Sequence, residues 1–130
     1  NFHPRAHAMA VAASTHGQAR DGEISLTLHQ GEFEAFQPPG VFDVVWLDPF
    51  GPDAEPLSWG PGVARVVARA LAEHGRAVTY SAAGWIRRNL AAAGLFVATV
   101  PGPIEGKREF TVAAHDRALL YGAKVRNAPR

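Results

Sequence analysis

The sequence predicts an α/β domain built on a doubly wound sheet that closes in an antiparallel hairpin. Three observations carry this. Segments with helical apolar spacing alternate with short strand-like segments, as crossover connections of a parallel sheet require. Val44-Val45-Trp46-Leu47 is an unbroken apolar run ending at Asp48, the pattern of a central strand buried on both faces. The last two strand-like segments follow one another around Pro101-Gly102-Pro103 with no helix between them, which predicts an antiparallel pair at one edge.

Each element has its own justification. Ala6, Met9, Ala10 and Ala13 fall at helical spacing over residues 5–16, and Gly17 is placed to end that helix. Ile24, Leu26 and Leu28 alternate with Ser25, Thr27 and His29, the period of a strand with one wetter face. After the buried run and a proline-rich loop, Val63, Val66, Val67, Ala70 and Leu71 form the apolar stripe of a helix that should stop near His74-Gly75. Residues 77–80 then read as a short strand. Trp85, Ile86, Leu90 and Ala93 line one side of a helix closed by Gly94, with Arg87 and Arg88 pointing elsewhere. Residues 96–100 and 110–114 supply the hairpin. One domain is expected over residues 1–115, followed by a basic C-terminal tail over 116–130, loose from Tyr121 onward.

Composition narrows the function classes. A chain of 130 residues, 47% apolar, is long enough to bury a core. No apolar run has the length of a membrane-spanning helix, and the amino end lacks the order of a signal peptide, so the expected setting is soluble and cytoplasmic. Without cysteine there is no disulfide, thiolate zinc site or cysteine nucleophile. Six histidines remain, and His3 with His7 has helix-face spacing, but no acidic helix residue lies between them as a zinc-protease motif requires. No metal is expected. The charge is unevenly divided: residues 1–75 carry four arginines against nine acids, whereas residues 76–130 carry nine bases against three acids. That separation suits an anionic partner on the basic side, or simply two solvated surfaces.

In open α/β sheets ligands bind beyond the carboxyl ends of the strands. Asp48 sits at such an end and opens Asp48-Pro49-Phe50-Gly51-Pro52, where both prolines stiffen the backbone. An acid, rigid carbonyls and an aromatic ring there could hold an amine by its hydrogens and aim its lone pair at a methyl donor. The competing reading makes Asp48 a turn cap and Phe50 core. Gly31-Glu32 follows the preceding strand, where the acid could accept hydrogen bonds from an adenine amino group or a ribose, or could be an ordinary solvated turn acid.

Three ordered blocks bring in a family. Residues 43–52 with Pro56 and Trp59, then residues 79–84 with Arg87-Arg88, Leu90 and Ala93-Gly94, then residues 106–109, together resemble the methyltransferase domain of the bifunctional tRNA 5-methylaminomethyl-2-thiouridine biosynthesis proteins, the MnmC type. The resemblance implies a class I, Rossmann-like methyltransferase fold and methyl transfer from S-adenosylmethionine to the 5-aminomethyl group of wobble 2-thiouridine in tRNA. On it, Asp48 orients and deprotonates the amine, and Gly31, Glu32, Asp48, Pro49 and Phe50 contact the cofactor. Trp59 and Tyr80 line the uridine side, Arg87, Arg88, Lys107 and Arg108 meet tRNA phosphates, and a flavin-dependent oxidase, fused or separate, is the implied partner.

The sequence also departs from the family. No G-x-G-x-x-G-type loop follows a strand, and Gly60-Pro61-Gly62 lacks the spacing. The first strand and its glycine loop are therefore expected upstream. This segment alone should bind S-adenosylmethionine poorly and expose an edge of its central strand. Glu32 stands where the family more often has aspartate, and Pro49 replaces a small residue. Pro49 makes the block similar to that of amino methyltransferases acting on an exocyclic base amine, the first alternative. A non-catalytic tRNA-binding module is the second.

Overall fold

The structure, a computed structural model, describes residues 3–102 and 109–130. It divides into two compact units, one ending at Glu32 and one running from Phe33 to Arg130.

In the first unit, helix α1 (Pro4–His16) starts on a proline, whose missing amide costs nothing at a helix start. It ends at Gly17, which at φ 78° takes the left-handed cap and donates its amide to the Ala13 carbonyl at 2.7 Å. Strands β1 (Gln18–Asp21) and β2 (Ile24–Thr27) form their own antiparallel hairpin. The strand expected in this region thus pairs with a neighbour the sequence reading did not foresee. The reason is local: Gly22, at φ 62°, occupies the first position of a two-residue connection, where a hairpin turn demands positive φ. Arg5 Nε donates to the Asp21 carboxylate at 2.6 Å, and that hydrogen bond holds the Asp21 carboxyl below its ordinary value.

The second unit contains a five-stranded sheet in the order β3-β4-β6-β5-β7. Its strands are β3 (Phe42–Trp46), β4 (Leu71–Thr79), β5 (Phe96–Pro101), β6 (Glu109–Ala114) and β7 (Lys124–Asn127). β3 and β4 are parallel, joined through helix α2 (Pro61–Ala70), while β5 and β6 form the expected antiparallel hairpin. Helix α3 (Gly84–Ala92) joins β4 to β5. Val63, Val66 and Val67 of α2 and Ile86, Leu90 and Ala91 of α3 are buried, each large apolar side chain contributing about 1.5–3 kcal/mol.

Helix α2 ends earlier than its apolar stripe suggested. Pairing jumps from Phe42↔Leu71 to Val44↔Arg76, so residues 72–75 of β4 face Asp43 alone. Gly75 makes that fit possible: a Cβ there would come within 2.8 Å of the Phe42 carbonyl oxygen and 2.9 Å of the Asp43 carbonyl oxygen. It marks a close approach of two backbones rather than a helix stop.

Two apolar clusters cover the two faces of the sheet. Leu47, Trp59, Val67, Leu71, Ile86 and Leu95 belong to the larger one, beneath α2 and α3. On the opposite face, Leu120 of a short 3-10 turn (Arg117–Leu120) packs with Ala98 and Ala114. That turn does not reach β3, where Val44 is 63% and Trp46 65% exposed. The expectation that the Val44–Leu47 run is buried on both faces is corrected accordingly: Leu47 and Val45 pack on the helix side, Val44 and Trp46 do not. β3 is the sheet's edge among the described residues.

The segment read as a loose tail is also structured. β7 pairs antiparallel with β5, and the Arg130 amide donates to the Ala91 carbonyl at 3.2 Å. Arg126 bonds Thr99 Oγ1 at 3.1 Å and pairs with Glu109 at 3.2 Å. A line of buried hydroxyls, Thr79, Thr111 and Thr99, crosses three adjacent strands. Thr111 Oγ1 donates to the Ser81 carbonyl at 2.6 Å, and Thr79 Oγ1 accepts from the Ser81 amide at 3.3 Å.

Candidate active site

β3 stops at Trp46 and the chain turns through residues 48–52. Leu47 still donates its amide to the Val78 carbonyl at 2.9 Å, which carries the parallel pairing up to the turn. Asp48 follows directly and is exposed, as is Phe50 at 75%. Among the described residues the Asp48 carboxylate has no ion-pair partner.

The backbone of this turn is held from below. Trp59 Nε1 donates to the Phe50 carbonyl at 2.8 Å, and the Tyr80 hydroxyl donates to the Pro49 carbonyl at 3.1 Å. The two rings meet edge to face with centroids 5.7 Å apart. Asn89 Nδ2 on α3 donates to the Trp59 carbonyl at 3.1 Å, so α3 supports the clamp in turn. The Gly51 carbonyl accepts the amides of Ala54 and Glu55, both at 2.9 Å. With these carbonyls engaged by the protein itself, the groups the turn offers outward are the Asp48 carboxylate and the Phe50 ring.

Among the expected site residues, the structure brings Asp48, Pro49, Phe50, Trp59 and Tyr80 together, with Asn89 as an addition that the sequence reading missed. Trp59 is 1% exposed, so it supports the turn rather than presenting a face to a base. Arg87 folds back onto the start of its own helix and donates to the Ala82 carbonyl, with its Nε buried and unpartnered, whereas Arg88 is exposed. Gly31 and Glu32 belong to the first unit, both exposed, Gly31 at φ 144°. Lys107 and Arg108 lie outside the described residues. Among the described residues no cluster of three His, Asp or Glu side chains could hold a metal, and no helix is long and apolar enough to cross a membrane.

A carboxylate beside an open aromatic face attracts a cation, both through charge and through the ring quadrupole. That donor set fits the positively charged sulfur of S-adenosylmethionine. A family profile described as S-adenosyl-L-methionine-dependent methyltransferase matches residues 4–116. The chain belongs to that family.

Relatives agree with this methyltransferase assignment. The tRNA 5-methylaminomethyl-2-thiouridine biosynthesis bifunctional protein MnmC of Cupriavidus metallidurans is 40% identical over 95 residues, covering 72% of this chain and 14% of that protein. The protein of the same name from Vibrio cholerae is 36% identical over 108 residues, covering 78% of this chain and 16% of that protein. The chain therefore spans only a small part of the length of these relatives. MNMC2 from Aquifex aeolicus, a crystal structure, shares the fold with a TM-score of 0.71 at 21% identity, covering all of this chain and 41% of that one. The sheet order β3-β4-β6-β5 with its closing hairpin is thus part of a class I methyltransferase fold of the MnmC type.

Proposed function

We propose that this chain takes part in S-adenosylmethionine-dependent N-methylation of the 5-aminomethyl group of wobble 2-thiouridine in tRNA. The observation that carries the reading is the clamped turn at the end of β3, which presents Asp48 and Phe50 from a backbone fixed by Trp59 and Tyr80. The relatives' name supplies the substrate class: a 5-methylaminomethyl group differs from a 5-aminomethyl group by one methyl on nitrogen.

S-adenosylmethionine, when bound, supplies an electrophilic methyl group. The chain's own residues prepare the amine for it. Asp48 accepts an N–H of the neutral amine and so aims the nitrogen lone pair outward from the turn. Transfer of the methyl group, with its bond to sulfur broken and the neutral thioether leaving, would make the nitrogen cationic, and an Asp48 carboxylate oxygen would stabilise that charge and take the proton. Phe50 offers an apolar, π-rich wall that excludes water from the nitrogen. Pro49 and Phe50 are the proposed cofactor contacts of the second unit; on the first unit, considered by itself, Gly31 and Glu32 remain the candidates for that role. Tyr80 bounds the uridine side, and Arg88 is an exposed cation available to a phosphate, with Arg87, Lys107 and Arg108 as further candidates. The reaction belongs in the cytoplasm, where tRNA is modified, with a flavin-dependent oxidase as the partner activity.

The test is transfer of a labelled methyl group to tRNA bearing the aminomethyl group, using the protein that carries this chain. Asp48→Ala should lower kcat/KM about 100-fold or more, with tRNA affinity unchanged. Methylation of tRNA lacking the aminomethyl group would favour an exocyclic base amine instead, and tRNA binding without any transfer would favour a non-catalytic module.

A further inference from the structure

Tyr121 is 99% exposed, an unusual position for an aromatic ring. The backbone explains how it is kept there. Residues 120–123 form a turn closed by the Ala123 amide donating to the Leu120 carbonyl at 3.0 Å. Tyr121 at φ −55°, ψ 132° and Gly122 at φ 80° have the angles of a type II turn, whose third position requires glycine or its like. Leu120, 3% exposed, anchors one side of the turn in the sheet face, and β7 begins just after the other. The residue that carries the ring thus sits at the corner of a hydrogen-bonded turn beside an open depression of about 430 Å³ that Arg117 also lines.

Its surroundings are cationic. Arg117 and Lys124 are exposed and form no ion pair among the described residues, whereas Arg126 is already engaged with Glu109. Asp116 caps the 3-10 turn by accepting the Ala118 amide at 2.8 Å. The location matters as well. Lys124 stands opposite Thr99, which pairs with Thr111, which pairs with Thr79. That row lies at the same end of the sheet as Asp48. From β3 to β7 is four strand spacings, about 19 Å.

We propose that Tyr121 is a stacking platform for an unpaired base of RNA, with Arg117 and Lys124 meeting the flanking phosphates. This deepens the tRNA reading and rests on it: an RNA loop reaching across the end of the sheet would meet Asp48 at one edge and Tyr121 at the other. A flat ring presented to solvent beside cations suits an unpaired base, because every base has a π face and stacking needs no sequence match. A fully paired duplex keeps its bases inside and would meet only the cations.

The experiment measures affinity of the protein that carries this chain for an RNA stem carrying a single-stranded loop and for a blunt duplex of equal charge, across a salt series. Wild type should prefer the loop. Tyr121→Ala should weaken loop binding about tenfold and leave duplex binding within about twofold, while Tyr121→Phe restores the loop preference. Arg117→Ala should weaken both and reduce the salt slope by about one. Equal loop affinity for Tyr121→Ala and wild type overturns the proposal, and so does binding of neither RNA, which would leave the ring to a protein contact. Asp48→Ala, assayed for both RNA affinity and methyl transfer in the protein that carries this chain, separates the two readings: loss of transfer with Tyr121-dependent binding intact supports both. Persistence of that binding in a protein that never methylates tRNA would sink the substrate reading while the platform stands.

Discussion

The two edges of the five-stranded sheet treat aromatic side chains in opposite ways. At the β3 edge Trp59 is buried and Tyr80 half-buried, and both spend their polar hydrogens on carbonyls of the turn that carries Asp48. At the β7 edge Tyr121 is wholly exposed and donates to nothing among the described residues. The strands differ in the same sense. β3 shows Phe42, Val44 and Trp46 to solvent, whereas β7 is short and carries Lys124 and Arg126, the composition by which natural edge strands avoid pairing with other chains. Positioning is concentrated at one edge and contact at the other.

The comparison is broken most severely at Trp59. Trp59→Ala removes a buried indole and a hydrogen bond, and should destabilise the chain by about 3–5 kcal/mol, read as a shift in the denaturant midpoint. A loss below about 1 kcal/mol would mean that the indole does not hold the turn. Tyr80→Phe deletes only the donor to Pro49 and should cost about 1 kcal/mol. If the clamp positions Asp48, this variant in the protein that carries the chain lowers kcat with little change in KM for tRNA. The smallest effect on stability belongs to Trp46→Lys, within about 0.5 kcal/mol because the side chain is already mostly in water. Its signature lies elsewhere: sedimentation should show less concentration-dependent association than wild type, and an unchanged association constant would mean that the β3 edge is not the sticky surface.

Much of this was legible in the sequence, for reasons that particular residues make plain. The alternation of helix and strand followed from the apolar spacing of α2 and α3, and Asp48 could be placed at a strand end because the apolar run stops there. The β1–β2 hairpin was missed because Gln18-Ala19-Arg20-Asp21 has little strand character, leaving only Gly22 to signal the turn. The start of β4 was hidden because Leu71 continues the helical stripe of α2, while the backbone contact at Gly75 that requires an extended chain is made with β3, far away in sequence. β7 was hidden because one valine among Lys124, Arg126 and Asn127 carries almost no pattern. The clamp could not be read at all, since its acceptors are backbone carbonyls and its donors, Trp59, Tyr80 and Asn89, are spread over a 3-10 turn (Pro56–Trp59), a strand end and α3.

The threonine line has a consequence for how the sheet assembles. In β-structure a slip of one residue sends every side chain to the opposite face. For β4, β5 or β6 such a slip would carry a threonine away from the other two; between β4 and β6 it would part Thr111 from the Ser81 carbonyl, and in β5 it would part Thr99 from Arg126. Each buried group so orphaned costs about 1–3 kcal/mol, on top of the apolar residues turned outward. Hydroxyls that contribute modestly when correctly paired thus act as a proofreading mark, penalising misaligned hairpins far more than they reward the aligned one.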